Sequence, residues 1–367
     1  MTISSRLLQR LDQAIAGASD PILAGSWRVQ RAVLLARHGR MAEAREALTA
    51  LHQLAFQHPH PTLGAWLHYA EGLMSYFSDF GSAAGDKIRR AQAMAQVAGL
   101  RQLEALCAAW LAHIAYVQHD VARVAQQAQT CLSLAGEAQH DARSRLAVAL
   151  GLAYDFAGRP EAAQAWYAAA RRHAAAEGDD ATQSALIYNM TEVRCARQRR
   201  ESLAHPARPV PELLLGADSV KHYDAAVGGS AMAELTPVLR AQVLTVQGEF
   251  AQAQALYEQH LPQAMSKGLT RLGSSLLADL AWCRCNLGQR EHALQQAREA
   301  EIELDPACDV DDRAATHSRL AQIYGLLGDA AAAERHAASA TAEWAEFAAQ
   351  QQAWARALAG AGLSRPA

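Results

Sequence analysis

The sequence predicts an all-α chain, a superhelical solenoid of about eight antiparallel helix pairs. Three observations carry that expectation. Gly39, Gly158, Gly248, Gly288 and Gly328 each close an apolar helical stretch and precede an alanine five residues on: Ala44, Ala163, Ala253, Ala293 and Ala333. The last three of these glycines are 40 residues apart, and Gly39 to Gly158 is 119, almost three such steps. Hydrophobic residues make up 51% of the 367 but aromatics only 6%. Alanine therefore carries much of the apolar count, which favours helices whose backbones approach closely.

Taken in order, residues 1–24 read as an amphipathic capping helix, with Arg6, Arg10 and Asp12 interrupting any long apolar core; it is not a secretion signal. Residues 25–345 hold the repeats. Glycine suits each turn because it accepts a left-handed backbone without steric cost. Two weaker copies fill the gap after Gly39. One turns at Gly81–Gly85, and in the other His119 stands where glycine is expected. The clearest copy is Leu150 to Ala170, where small Gly151, Ala163 and Ala170 alternate with large Tyr154 and Tyr167. Two helices packing closely in antiparallel need that alternation. The next turn is expected near Gln198, and the proline-rich stretch at 204–214 reads as an exposed insertion loop. Residues 346–367 read as a capping helix and a frayed tail, and Trp344, just before them, shares one core stripe with Phe347, Trp354 and Leu358.

These residues resemble the tetratricopeptide repeat family. Leu150, Gly151, Tyr154, Gly158, Ala163, Tyr167 and Ala170 match its motif spacing, and Leu320, Ala321, Tyr324, Gly328, Ala333 and Ala340 match it nearly as well. The period departs from the family's usual 34 residues and runs near 40. Helices of about 16 to 17 residues account for this, as in longer-repeat variants found in bacterial regulators. The resemblance implies a right-handed superhelix whose first helices line a concave groove.

Composition narrows the function. Net charge is -3, so no basic field argues for nucleic acid or an anionic membrane. No run approaches the roughly 18 to 20 apolar residues of a membrane span. The six cysteines are scattered without a CxxC motif, which fits reduced thiols in a cytoplasmic protein. GxGxxG, P-loop, HExxH and GxSxG signatures are absent, so no enzyme and no cofactor are expected. His58 and His60, with His52 or His68, could supply imidazoles to a transition metal, but no cysteine or carboxylate stands at ligand spacing beside them, and no metal is expected. Arg194, Arg197, Arg199 and Arg200, with Arg171, Arg172 and Arg208, form the one basic concentration. It reads first as a solvated helix end and second as a phosphate-binding face.

The resemblance also implies which side chains face the groove: Arg145, Leu152 and Asp155 around the Gly158 turn, and His113 and Tyr116 before it. Tyr188, Asn189 and Glu192 follow, then Gln242, then Asp279, Trp282 and Asn286, and then Arg319 and Gln322. Aromatics would cover apolar side chains, and Asn, Gln and Arg would bond an extended backbone. Asn189 stands out because an asparagine inside an apolar helix needs a partner, either a neighbouring carbonyl or a ligand. Only three lysines are present (87, 221 and 267), so the lysine-rich grip on a C-terminal carboxylate used by some family members is not expected. The expected function is a non-catalytic, bacterial-type adaptor holding a protein segment in its groove. The alternative is a small-ligand or signal-peptide sensing module. A regulator would add a DNA-binding or signalling domain, and neither end of the sequence reads as having room for one.

Overall fold

The computed structural model describes residues 3–79, 84–204, 210–266, 272–306 and 308–366. Among them the chain forms seventeen helices and no strand. After α1 (Arg6–Gly17), the helices follow in pairs: α2 (Pro21–Arg37) with α3 (Met41–Gln57), α4 (Pro61–Asp79) with α5 (Ala84–Val97), α6 (Arg101–Val117) with α7 (Val121–Leu134), and α8 (His140–Phe156) with α9 (Pro160–Glu177). The series continues with α10 (Asp180–Ala204) and α11 (Pro211–Val227), α12 (Thr236–Gln247) and α13 (Phe250–Ser266), α14 (Gly273–Asn286) and α15 (Arg290–Ile302), then α16 (Val310–Leu327) and α17 (Ala330–Gly360). One pair buries too little on its own, so neighbouring pairs stack. No helix is long and apolar enough to cross a membrane among the described residues.

The turn residues behave as their spacing demands. Gly39, Gly158, Gly248, Gly288 and Gly328 all have φ between +67° and +86°. His119, at φ 55°, is the one non-glycine residue of the described chain in the left-handed region. The small–large alternation has a direct geometric basis. A Cβ added to Gly151 would lie 2.5 Å from Tyr167 Cε1, so the α8 backbone touches the α9 ring face. Leu150, Ala153, Ala163 and Ala170 complete that contact with zero exposure.

The chain divides into two compact units. The first comprises Met1–Leu186, Tyr223–Ala231 and Gln352–Ala367. In it, α2 packs on α4 and α6 on α8, while Tyr76 of α4 meets Trp110 of α6 at 5.7 Å between ring centroids. This unit closes on itself. The Leu7 amide donates to the Gly178 carbonyl at 3.2 Å, and Ser230 donates to the His38 carbonyl at 3.0 Å. Arg37, at the end of α2, pairs with buried Asp179 at 2.8 Å. The second unit comprises Ile187–His222 and Met232–Gln351. There α12, α14 and α16 pack in sequence, each against its own second helix or the next first helix. Leu320, Ile323 and Tyr324 of α16 join Ala332 of α17 in one core cluster.

Several expectations need correction. No turn forms near Gln198, because α10 runs unbroken through it for 25 residues. The segment contains no glycine or proline after Asp180 until Pro206, so nothing in it stops a helix. The extra residues of this copy thus lengthen a helix, and α11 begins at Pro211, inside the stretch expected to be loop; residues 205–209 lie outside the described residues. The second helix starts at Pro21, earlier than residue 25, with Asp20 accepting from the Ile22 amide as its cap. Gly81 lies outside the described residues, and Gly85 is already inside α5. The C-terminal stretch is a continuation of α17, and its tail is docked: Leu363 is 2% exposed and its carbonyl accepts from Trp166 Nε1 at 3.0 Å. Phe347, Trp354 and Leu358 are buried as the core stripe requires, while Trp344 is half-buried and donates its Nε1 to Ser318 Oγ at 2.9 Å.

Candidate functional site

Within the second unit, α14 and α16 bring three of the expected groove residues together. Asp279 and Trp282 are three residues apart and share a face of α14. Arg319 of α16 reaches both: its Nε donates to Asp279 Oδ1 at 3.1 Å, and its Cζ lies 4.8 Å from the Trp282 ring centroid. Gln322, one turn on, accepts from Arg319 Nη1 at 2.8 Å and donates to the Leu203 carbonyl at 3.0 Å. That second bond ties the end of α10 into the site.

A second cation enters from α10. Arg199 Nε approaches Asp279 Oδ2 at 2.8 Å, but off the hydrogen-bonding direction. The contact is therefore ionic, while Arg199 Nη2 donates to the Ser275 carbonyl at 3.0 Å. Asp279 is 1% exposed, Arg319 2% and Arg199 6%, so one carboxylate sits between two guanidiniums away from water. Burial, then the neighbouring Asp311 carboxylate, pushes the Asp312 carboxyl well above its usual range beside them. A cavity of about 420 Å³ opens on this cluster, bounded by Ser202, Gln247, Phe250, Trp282, Arg319 and Gln322. Phe250 stands edge-on to Trp282, with centroids 6.5 Å apart.

The arginine run does not form one face. Arg199 turns inward to Asp279, Arg200 lies 5.2 Å over the Phe347 ring and 3.7 Å from Asp311, and Arg194 and Arg197 are exposed. Of the remaining groove residues in this unit, Tyr188 packs against the cluster of Cys195, Leu213, Leu239 and Val243. Burial, then the nearby Glu192 carboxylate, raises its phenol. Asn189 and Glu192 are half-buried on the same helix. No described residue bonds the Asn189 amide, so of its two expected partners, a neighbouring carbonyl or a ligand, the carbonyl is not found there. Gln242 is half-buried on α12. Asn286 is exposed and donates back to the Trp282 carbonyl at 2.8 Å.

In the first unit His113, Arg145 and Leu152 of the expected groove set are buried, while Tyr116 and Asp155 are half-buried. His113 is buried, with Tyr76 Oη 2.9 Å from its Nε2. Burial, then the Arg145 charge, lowers its pKa to about 3. Arg145 lies with its Cζ 3.9 Å from the Trp110 ring centroid. It borders a cavity of about 70 Å³ between the first helices. Leu152 is buried at 7% exposure, Tyr116 meets Trp354 edge-on at 6.0 Å, and Asp155 is half-buried on α8. His52 and His68 both face Glu71, at 3.1 and 3.5 Å. His60 Nδ1 accepts from the Thr62 amide at 3.2 Å, at the start of α4. No group of three or more His, Cys, Asp or Glu side chains among the described residues is placed to hold a metal ion.

Sequence reasoning missed Trp110, Phe250 and Arg199 as parts of these sites. A signal for such partners exists, because many contacting polar pairs are about one repeat apart. Tyr76 and His113 are separated by 37 positions, Asp279 and Arg319 by 40, and Glu301 and His336 by 35. Stacked copies bring equivalent helix positions side by side. No protein-family model matches the chain, and a search of curated proteins finds no relative.

Proposed function

We propose that the chain is a non-catalytic binding scaffold of tetratricopeptide-repeat type, whose second unit holds an extended protein segment at the Trp282 cavity. The observation that carries this reading is the Trp282 indole held between Arg319 and Phe250 at a cavity of about 420 Å³. That volume falls within the ~300–1,000 Å³ of ordinary ligand pockets and is ample for one or two anchoring side chains. The mixture is suitable for a peptide. Trp282 and Phe250 cover apolar groups, and Gln247, Ser202 and Gln322 offer amide and hydroxyl groups to a backbone. The Arg199–Asp279–Arg319 cluster fixes the floor beneath them, so the indole is preorganised. The six unpaired cysteines, five of them buried, support the cytoplasmic setting expected of such an adaptor.

Random peptides displayed on phage and selected on the wild-type protein test this reading. Selected peptides are expected to bind Trp282→Ala about 30-fold more weakly, the loss typical of a buried aromatic anchor. Failure to enrich any peptide, or equal binding by the variant, would sink it. The second reading, a small-ligand sensing module, is favoured by one separate feature: the cavity beside Arg145 in the first unit.

A further inference from the structure

We propose that His317 and His336 form an acid-sensitive clasp between α16 and α17, closed while at most one of the two imidazoles is charged and opened when both are. The clasp belongs to the second unit and does not depend on what the Trp282 cavity binds.

Counting protons shows why. His317 Nδ1 and His336 Nδ1 are 2.9 Å apart, a hydrogen bond that needs a proton on one nitrogen and a lone pair on the other. His336 Nε2 stands 2.6 Å from Glu301 Oε1 of α15. An ionised carboxylate only accepts, so that nitrogen carries a proton. A neutral His336 therefore has a bare Nδ1 and receives the His317 proton. A charged His336 donates instead, and His317 is then the neutral partner. With both rings charged, two N–H groups face each other, like charges repel and the bond is lost.

The two rings differ in what else holds them. His336 is 9% exposed, and the Tyr324 ring is stacked on it with centroids 5.5 Å apart. Charging His336 strengthens its bond to Glu301, since an imidazolium then meets a carboxylate. His317 is half-buried, and among the described residues His336 is its one hydrogen-bond partner. His317 is thus the ring that leaves.

Burial, then the neighbouring His336, lowers the His317 imidazole from its ordinary 6.5. Glu343 of α17 and Glu301 of α15 oppose that shift, and Arg313 of α16 adds to it. Arg298 of α15 acts on Tyr324. On α14, Asp279 and Cys283 act on Arg319, which points away from His317 two residues along the same helix. A group lowered in this way contributes its stability in full above pH 6.5, and the contribution is lost as pH falls below that value.

Two other ties join the same helices and limit the opening. Arg313 bonds both Glu343 oxygens, at 3.0 and 2.7 Å, and Trp344 Nε1 donates to Ser318 Oγ. Both lie beyond His336 as seen from the Gly328 turn, so the part that loosens is the start of α17, residues 330–336.

The test uses the full chain from about pH 7.5 to about pH 4.5. Histidine ring resonances, assigned by single substitution, report the charge and tautomer of each imidazole by NMR. Hydrogen exchange read by mass spectrometry, normalised to the unfolded chain at each pH, reports the start of α17. The two rings are expected to charge in separate steps, with His317 last. Exchange over residues 330–336 is expected to rise about tenfold with the second step, the change that one unit of pKa shift sets. His317→Gln keeps a hydrogen-bonding side chain without the charge, and is expected to lose that rise. His317→Lys carries its charge throughout, and is expected to exchange fast already at neutral pH. Rings that charge together overturn the proposal, as does an equal acid rise in wild type and His317→Gln. If neither variant folds, as read by circular dichroism, the wild type decides: a rise that tracks the charging of His317 supports the clasp, and one that precedes it or is absent overturns it.

Discussion

Arg319 covers the indole of Trp282, with Cζ 4.8 Å from the ring centroid, while its Nε is held by Asp279 at 3.1 Å. The carboxylate that orients this cation also faces Arg199 at 2.8 Å. One anion therefore neutralises part of two buried charges, and its removal strands both. Asp279→Ala is expected to cost about 3–5 kcal/mol of stability, the range for breaking a buried pair from one side. Chemical denaturation compared with the wild type checks this, and a loss below about 1 kcal/mol would show that water compensates the arginines.

Gly151 is the tightest helix–helix approach of its copy. Adding a methyl at that position forces the Tyr167 ring to move by more than a side chain can absorb in place, since the contact would be 2.5 Å. Gly151→Ala is expected to destabilise by about 1–3 kcal/mol, against the usual helix preference for alanine. In a Tyr167→Leu background the same change is expected to cost less. A double-mutant cycle of melting measurements reads that coupling directly.

His119 holds a left-handed backbone at φ 55° while its ring meets Phe156 and Trp354 at 5.1 and 6.2 Å. Ala and Gly substitutions both remove the ring, but only glycine removes the backbone strain. His119→Gly is expected to be more stable than His119→Ala by about 1 kcal/mol. Equal melting temperatures would mean that the turn relaxes to another conformation in the alanine variant.

Buried His113 and half-buried Asp141 of the first unit give opposite acid responses. The His113 imidazole, lowered from 6.5 to about 3, stays neutral in the folded chain while the unfolded chain takes up a proton. Its contribution is thus complete above pH 6.5 and is lost as pH falls toward 3, by up to about 1.4 kcal/mol per unit. Asp141, raised from 3.8 to about 6, takes up its proton earlier in the folded chain. It therefore favours folding increasingly as pH falls from 6 toward 4. Relative to the wild type, Asp141→Asn is expected to lose stability more steeply between pH 6 and pH 4, and His113→Gln less steeply. Denaturation midpoints across that interval distinguish the two slopes.

The repeat was legible because turn chemistry is local. Gly158 or Gly328 announces a left-handed residue whatever surrounds it, and even His119 could be placed by counting from its neighbours. The α10 helix was not legible as one piece, because a missing stop signal is weaker than a present one and the period argued for a turn at Gln198. At the sites, Asp279, Trp282 and Arg319 were named through the resemblance, and the structure brings these three together. The burial of Arg199 was not legible: an arginine in a basic run looks solvated until its anion, eighty positions away in sequence, is brought against it. His113 and Arg145 were assigned to a groove, and they do lie on first helices. What sequence alone lacked was the closure of the first unit, which turns that face into an interior.

That closure has a consequence for how the chain can vary. An open array of repeats gains or loses a copy with little penalty, since each copy touches only its neighbours. In the first unit Ser4 and Leu7 bond the carbonyls of Val227 and Gly178, and Ser230 bonds that of His38. Deleting or duplicating one helix pair between them would displace the end of the series from its beginning by a whole step. Copy number in this part of the chain is thereby locked, and divergence there must proceed by substitution within helices.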